Sequence, residues 1–93
     1  MVKRKRKNRP SCGTNRYGTK RWILNGQLHR EDGPAMEYID GTKYWYFHGQ
    51  LHRLDGPAVE YPNGIKFWYY HGKCIDCSSQ RKFKRLLKLK FLW

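Results

Sequence analysis

Three near-copies of one segment, spaced 23 residues apart, constrain the fold of this chain more than any other feature. The first copy starts at Gly18 and carries Trp22, Asn25-Gly26, Leu28-His29-Arg30 and Asp32-Gly33-Pro34-Ala35. The second starts at Gly41 and keeps Trp45, His48-Gly49, Leu51-His52-Arg53 and Asp55-Gly56-Pro57-Ala58 in phase. The third starts at Gly64, keeps Lys66, Trp68 and His71-Gly72, and departs at Lys73. A unit this short cannot bury its own apolar face, so the copies must stack on one another. Stacked arrays present binding surfaces more often than active sites.

Glycine-centred pairs punctuate each copy. Asp40-Gly41 and Asn63-Gly64 read as two-residue hairpin loops, whose central positions both need positive φ. That register sets Met36 opposite Trp45, Tyr38 opposite Lys43, Val59 opposite Trp68 and Tyr61 opposite Lys66. Asn25-Gly26, His48-Gly49 and His71-Gly72 form a second set of tight turns, which lays His29 beside Trp22 and His52 beside Trp45. The expected fold class is all-β: an elongated antiparallel meander of hairpin repeats with a Trp stripe on one face. The Asp-Gly-Pro-Ala segments read as wider turns, because proline fixes its own φ and pushes the residue before it out of the helical region. Arg30 with Asp32, and Arg53 with Asp55, are close enough in sequence to bond across those turns.

The net charge of +13 is unevenly spread. Residues 1–30 carry +10, residues 31–77 carry −3 and residues 78–93 carry +6. The expected organisation is a basic arm over 1–16, disordered when unbound, the repeat body over 17–77 with its third copy truncated, and a basic helix over 78–93. Ser78 or Ser79 caps that helix. Phe83, Leu86 and Leu87, with Trp93, line one side, and Arg81, Lys84, Arg85 and Lys88 the other. Its apolar side is expected to close the end or one face of the sheet, since a terminal repeat needs a cap. No run approaches the ~20 apolar residues of a membrane span. The first residues lack the apolar stretch of a secretory signal. Three cysteines, an odd number, fit a reducing, intracellular compartment, with nucleus or virion as its places.

Basic flanks around a near-neutral body seek a polyanion. The candidate phosphate contacts are Lys3, Arg4, Lys5, Arg6, Lys7 and Arg9 at one end and Arg81, Lys84, Arg85 and Lys88 at the other. No base-reading motif is present, so little sequence specificity is expected. Tyr44, Tyr46, Phe67 and Tyr69 alternate with the tryptophans and are expected on the opposite face, where they would stack bases or, more in keeping with an apolar patch, be covered by the C-terminal helix or by another protein. Cys74-x-x-Cys77, with His71 and Cys12, is a weak zinc signal, because Cys74 holds the slot of Leu28 and Leu51 and reads as a buried small apolar residue. His29 and His52 recur with their whole turn, which marks them as structural rather than acid–base groups. No nucleophile–base pair, phosphate loop or carboxylate cluster is visible, so neither an enzyme nor a small-molecule or cofactor site is expected.

The repeated His-Arg-x-Asp-Gly-Pro-Ala string, with its Trp and its Asn-Gly or His-Gly turn, resembles the variant class of MORN-type repeats over residues 17–76. These are β-hairpin repeats of about this length, abundant in large DNA viruses and some phages. The closing Ser-Ser-Gln and Phe/Leu/Lys helix also resembles tails of such viral proteins. The resemblance implies a non-catalytic interaction module, and so a virion or assembly component as the alternative to nucleic-acid attachment. Attachment to an anionic membrane surface is a second alternative, since the helix sets Phe83, Leu86, Leu87 and Trp93 against lysines. The chain departs from the family pattern where Cys74-Ile75-Asp76 replaces Leu-His-Arg, and in its unusually basic flanks.

Overall fold

The computed structural model describes residues 9–91; the arm contacts at positions 3–7 and Trp93 lie outside the described residues. Among the described residues ten strands precede one helix: β1 (Ser11–Thr14), β2 (Lys20–Leu24), β3 (Gln27–Leu28), β4 (Met36–Glu37), β5 (Lys43–Tyr44), β6 (Tyr46–Phe47), β7 (Gln50–Leu51), β8 (Val59–Glu60), β9 (Lys66–Tyr70), β10 (Lys73–Ile75) and α1 (Gln80–Phe91). The main antiparallel sheet runs β1-β2-β4-β5-β8-β9-β10, with β3 beside β2 and β6-β7 as a separate ribbon. The result is a plate of 42 × 38 × 16 Å.

The short turns form as the sequence predicts. Asn25, His48 and His71 take φ of 52°, 49° and 46°, each followed by a positive-φ glycine, which matches the right-handed twist of the flanking strands. The other set differs by one residue. Tyr38 N–H donates to Thr42 C=O and Gly41 N–H donates to Tyr38 C=O. Glu37 therefore faces Lys43 and Met36 faces Tyr44. Likewise Glu60 faces Lys66 and Val59 faces Phe67. These loops have three residues, a type I turn closed by a glycine with φ near +95° (Gly41 at 99°, Gly64 at 92°). Asp40 does not take positive φ; its Oδ1 accepts the Thr42 N–H at 2.9 Å, and that bond holds its carboxyl below the ordinary value. Asn63 does the same for Ile65 at 3.1 Å.

A one-residue slip moves every side chain to the other face of a strand. In the observed register a row of alternating charge, Lys20-Glu37-Lys43-Glu60-Lys66, crosses the sheet on the tryptophan face. The neighbouring row on that face alternates tryptophan and alanine: Trp22 donates to Ala35 C=O and Trp45 to Ala58 C=O from their backbone N–H groups. Ala35 and Ala58 are fully buried between the large rings. A bulkier residue there would overpack the row.

Strand β1 lies inside the span expected to be a disordered arm, and corrects that expectation for residues 11–14. It pairs with β2, Cys12 opposite Trp22. Its loop repeats the later ones: Asn15 N–H donates to Thr19 C=O and Gly18 N–H to Asn15 C=O. Residues 12–19 therefore retain the end of a further copy, one period upstream, in which Cys12 stands in the alanine slot. The identifying residues are gone from it, so the periodicity is invisible there.

Candidate functional site

The Asp-Gly-Pro-Ala turns are organised by their arginines. Arg30 Nε donates to Asp32 at 3.0 Å, and its Nη1 donates to Pro34 C=O at 3.0 Å and to Glu37 at 3.4 Å. Arg53 repeats the set with Asp55, Pro57 C=O and Glu60, all at 3.0 Å. Each guanidinium lies 3.8 Å from the ring centroid of its tryptophan, Arg30 over Trp22 and Arg53 over Trp45. The other side of the fork presses on glycine backbone, since a Cβ at Gly56 would stand 2.6 Å from Arg53 Cζ. Only arginine has the flat fork that stacks and donates in several directions at once. These cations are spent on structure.

The turns lay His29 beside Trp22 and His52 beside Trp45 as expected, each histidine N–H donating to the tryptophan C=O at 2.9 Å and 3.0 Å, but the rings reach further. His29 is 2 % exposed, and its Nδ1 accepts the backbone N–H of His48, in the next copy, at 2.8 Å. His52 accepts the His71 N–H in the same way at 2.8 Å. Their rings lie against the next copy as well, His29 at 4.6 Å from Phe47 and His52 stacked 4.1 Å from His71. Each histidine thus pairs with its own copy's tryptophan through the backbone, while its ring is a strut to the next copy. Burial, then the neighbouring His71, lowers the His52 pKa from its ordinary value.

At the third copy the arginine slot holds Asp76, and α1 covers the tryptophan instead. Ser79 caps the helix, its Oγ accepting the Lys82 N–H at 3.2 Å. Gln80 Oε1 accepts the Trp68 indole N–H at 2.8 Å, while Gln80 Nε2 donates to Leu54 C=O at 2.8 Å. Phe83 is fully buried and Trp68 only 7 % exposed. The helix therefore caps the tryptophan face, and Leu86 turns partly outward at 36 % exposure rather than joining Phe83. Arg81, Lys84, Arg85 and Lys88 are all exposed, as is Arg9 beside β1 at the far edge of the sheet. None of the four helix cations makes an ion pair among the described residues.

The opposite face carries the aromatics, and nothing in the described chain covers it. Tyr44, Tyr46, Phe67 and Tyr69 do emerge there, joined by Tyr38 and Tyr61, which two-residue loops would place with the lysines. The rings meet edge to face: Tyr38–Tyr44 at 5.7 Å, Tyr44–Tyr61 at 6.3 Å and Tyr61–Phe67 at 6.2 Å. The bond with Tyr61, followed by burial, pushes the Tyr44 phenol up to about 12. Burial is also the main cause raising Tyr46 and Tyr69.

Two further places bear on function. A groove of about 630 Å³ runs between the first and second arginine turns, with Trp45 in its lining and Glu31, Asp32, Leu54 and Asp55 around it. The cysteine candidates are not brought together: Cys12 sits on β1 and Cys74 on β10, at opposite edges of the sheet. Cys74 is exposed rather than buried, because no further copy stacks on it as the second copy stacks on Leu28, whose C=O takes the Gly49 N–H at 2.8 Å. Burial raises the Cys77 thiol, away from the thiolate a metal needs. Among the described residues no three His, Cys, Asp or Glu side chains are grouped to hold a metal, and no helix is long and apolar enough to cross a membrane. No protein-family model matches the chain, nor does any curated protein or solved structure.

Proposed function

We propose that this chain is a non-enzymatic binding module of the variant MORN-type class, working in an intracellular, reducing setting, that attaches to nucleic-acid phosphates with little sequence preference. The observation that carries the reading is the contrast between two sets of cations. Arg30 and Arg53 are held at 3.0 Å by carboxylates, whereas Arg81, Lys84, Arg85 and Lys88 project from a docked helix with no ion pair among the described residues. Folding the helix onto the sheet holds these charges in one outward stripe rather than neutralising them. Each phosphate neutralised releases counterions, so the four should contribute a slope of about −3 to −4 in log affinity against log salt. The test measures anisotropy of a labelled duplex across salt, for the chain and for a variant with all four changed to Gln. Loss of about that slope supports the reading; no binding at low salt, or a flat titration, refutes it.

The second reading is a structural or assembly protein, supported by the open aromatic face and by the viral character of the resembled class. Here Tyr46→Glu with Tyr69→Glu would abolish association with other proteins, such as virion components, while deleting residues 1–10 would not. Leu86 and Leu89, at 36 % and 52 % exposure beside the helix cations, support a third, attachment to an anionic membrane surface. Co-sedimentation with anionic liposomes tests it.

A further inference from the structure

Trp68 and Trp45 are equivalent residues in successive copies, and only one has its indole N–H engaged. At the third copy Gln80 bridges two groups, taking the Trp68 N–H and giving its own amide proton to Leu54 C=O, both at 2.8 Å. One copy earlier the corresponding pair is the Trp45 N–H and the Glu31 C=O. The Trp45 N–H has no acceptor among the described residues. Both residues line the open groove of about 630 Å³, and Leu54 borders it on one side while its carbonyl holds the helix on the other. The open groove is thus continuous with the one the chain fills itself.

Its chemistry differs from its neighbour in charge. Arg53 lies over one face of Trp45, where the third copy has Asp76. Each arginine is shared by two carboxylates, Arg30 by Asp32 and Glu37 and Arg53 by Asp55 and Glu60, so each turn keeps a net negative charge to which Glu31 adds; Glu31, Asp32 and Asp55 stand at the rim at 76 %, 87 % and 87 % exposure. An anionic rim repels nucleic acid and favours a cationic visitor. Half-exposed Leu54 and the Phe47 ring supply apolar wall.

We infer that this groove is a docking site for a basic segment of a partner protein that carries a side-chain amide, with an apolar residue three positions on. The amide bridges Trp45 and Glu31, the apolar residue covers Leu54, and the cations meet the rim. The pattern is that of Gln80-Arg81-Lys82-Phe83, already seated one copy further along. A second copy of this chain does not serve, because its own Gln80 is engaged on Trp68.

The probe is a free acetylated peptide with the sequence of residues 78–89, titrated into the full nitrogen-labelled chain. The Trp45 indole resonance should shift and saturate while that of Trp68 stays in place. Replacing the peptide's glutamine by alanine should weaken binding about tenfold, the loss of two hydrogen bonds. Glu31→Lys in the chain, a change at an exposed rim position, should weaken it several-fold at low salt. Movement of the Trp68 resonance would mean exchange with the resident helix and overturn the inference. So would a Trp45 signal unmoved at millimolar peptide, or equal binding of the alanine peptide.

Discussion

The first two copies and the third face the same physical problem and solve it differently. Each must cover a tryptophan on one face of a single sheet. In the first two an arginine lies 3.8 Å over the ring, tied by carboxylates and pressed on glycine. In the third the ring is covered by a helix through Gln80 and the fully buried Phe83. The internal solution is self-contained in charge. The helical one places on the surface cations that have no ion pair among the described residues, so the structural cap and the proposed phosphate contacts are one element. A cap that buries Phe83 against the sheet presents its polar stripe to solvent, with Leu86 and Leu89 beside it.

The sharpest way to break this contrast is Phe83→Ala. The side chain is fully buried, and its truncation should cost about 3 to 4 kcal/mol, among the largest effects in a domain of this size. Loss of helical circular dichroism before loss of the sheet signal would show the cap leaving first; an unchanged melting temperature would refute its role. Next comes Arg53→Ala, which removes the cover from Trp45 and leaves Glu60 and Pro57 C=O without their donor. About 2 kcal/mol is expected in chemical denaturation. Arg53→Lys should recover less than half of it, since an ammonium cannot stack and fork together. If lysine restores full stability, charge alone holds the turn.

A smaller effect separates the joints between copies from the cap. The His52 pKa is lowered in the folded state, so the folded chain binds fewer protons than the unfolded one. Its contribution is present above the ordinary value of 6.5 and is lost as pH falls through the lower folded value. The melting temperature should therefore drop on acidification below 6.5, and less so in His52→Gln, which has no ring to protonate. Equal acid sensitivity in both would remove the strut from the account. The smallest effect is spectroscopic: in an alkaline absorbance titration one tyrosine should ionise only near 12, and Tyr61→Phe should bring it down, because the bond to Tyr61 is the first cause of that shift.

Much of this was legible from the period of the repeats. The positive-φ turns at Asn25-Gly26, His48-Gly49 and His71-Gly72, the arginine–aspartate bonds, the Ser79 cap and the outward cations all follow from residue type and spacing. The hidden part lay in one ambiguity. Asp-Gly and Asn-Gly suit both two- and three-residue loops, and the choice decides the face of every residue that follows. Pro62 carried the answer, since proline with its fixed negative φ belongs at the second position of a type I turn spanning Tyr61 to Gly64. The Glu-Lys pairing it implies also beats Tyr-Lys across a ladder. Reading that turn correctly puts Glu37 and Glu60 within reach of the arginines and adds Tyr38 and Tyr61 to the aromatic face. The role of Gln80 had no such marker. A glutamine at a helix start is unremarkable until the indole beneath it is seen to lack an arginine.

The bond from each histidine ring to the backbone of the following copy has an architectural outcome. Every complete unit offers an acceptor on its trailing side and an amide donor on its leading side. An extra unit spliced between the second and third would meet ready-made complements at both joints. The span of the plate can thus grow in whole-unit steps without new chemistry. Extension past the third unit is a different matter, since Ile75 stands where the ring nitrogen would have to be.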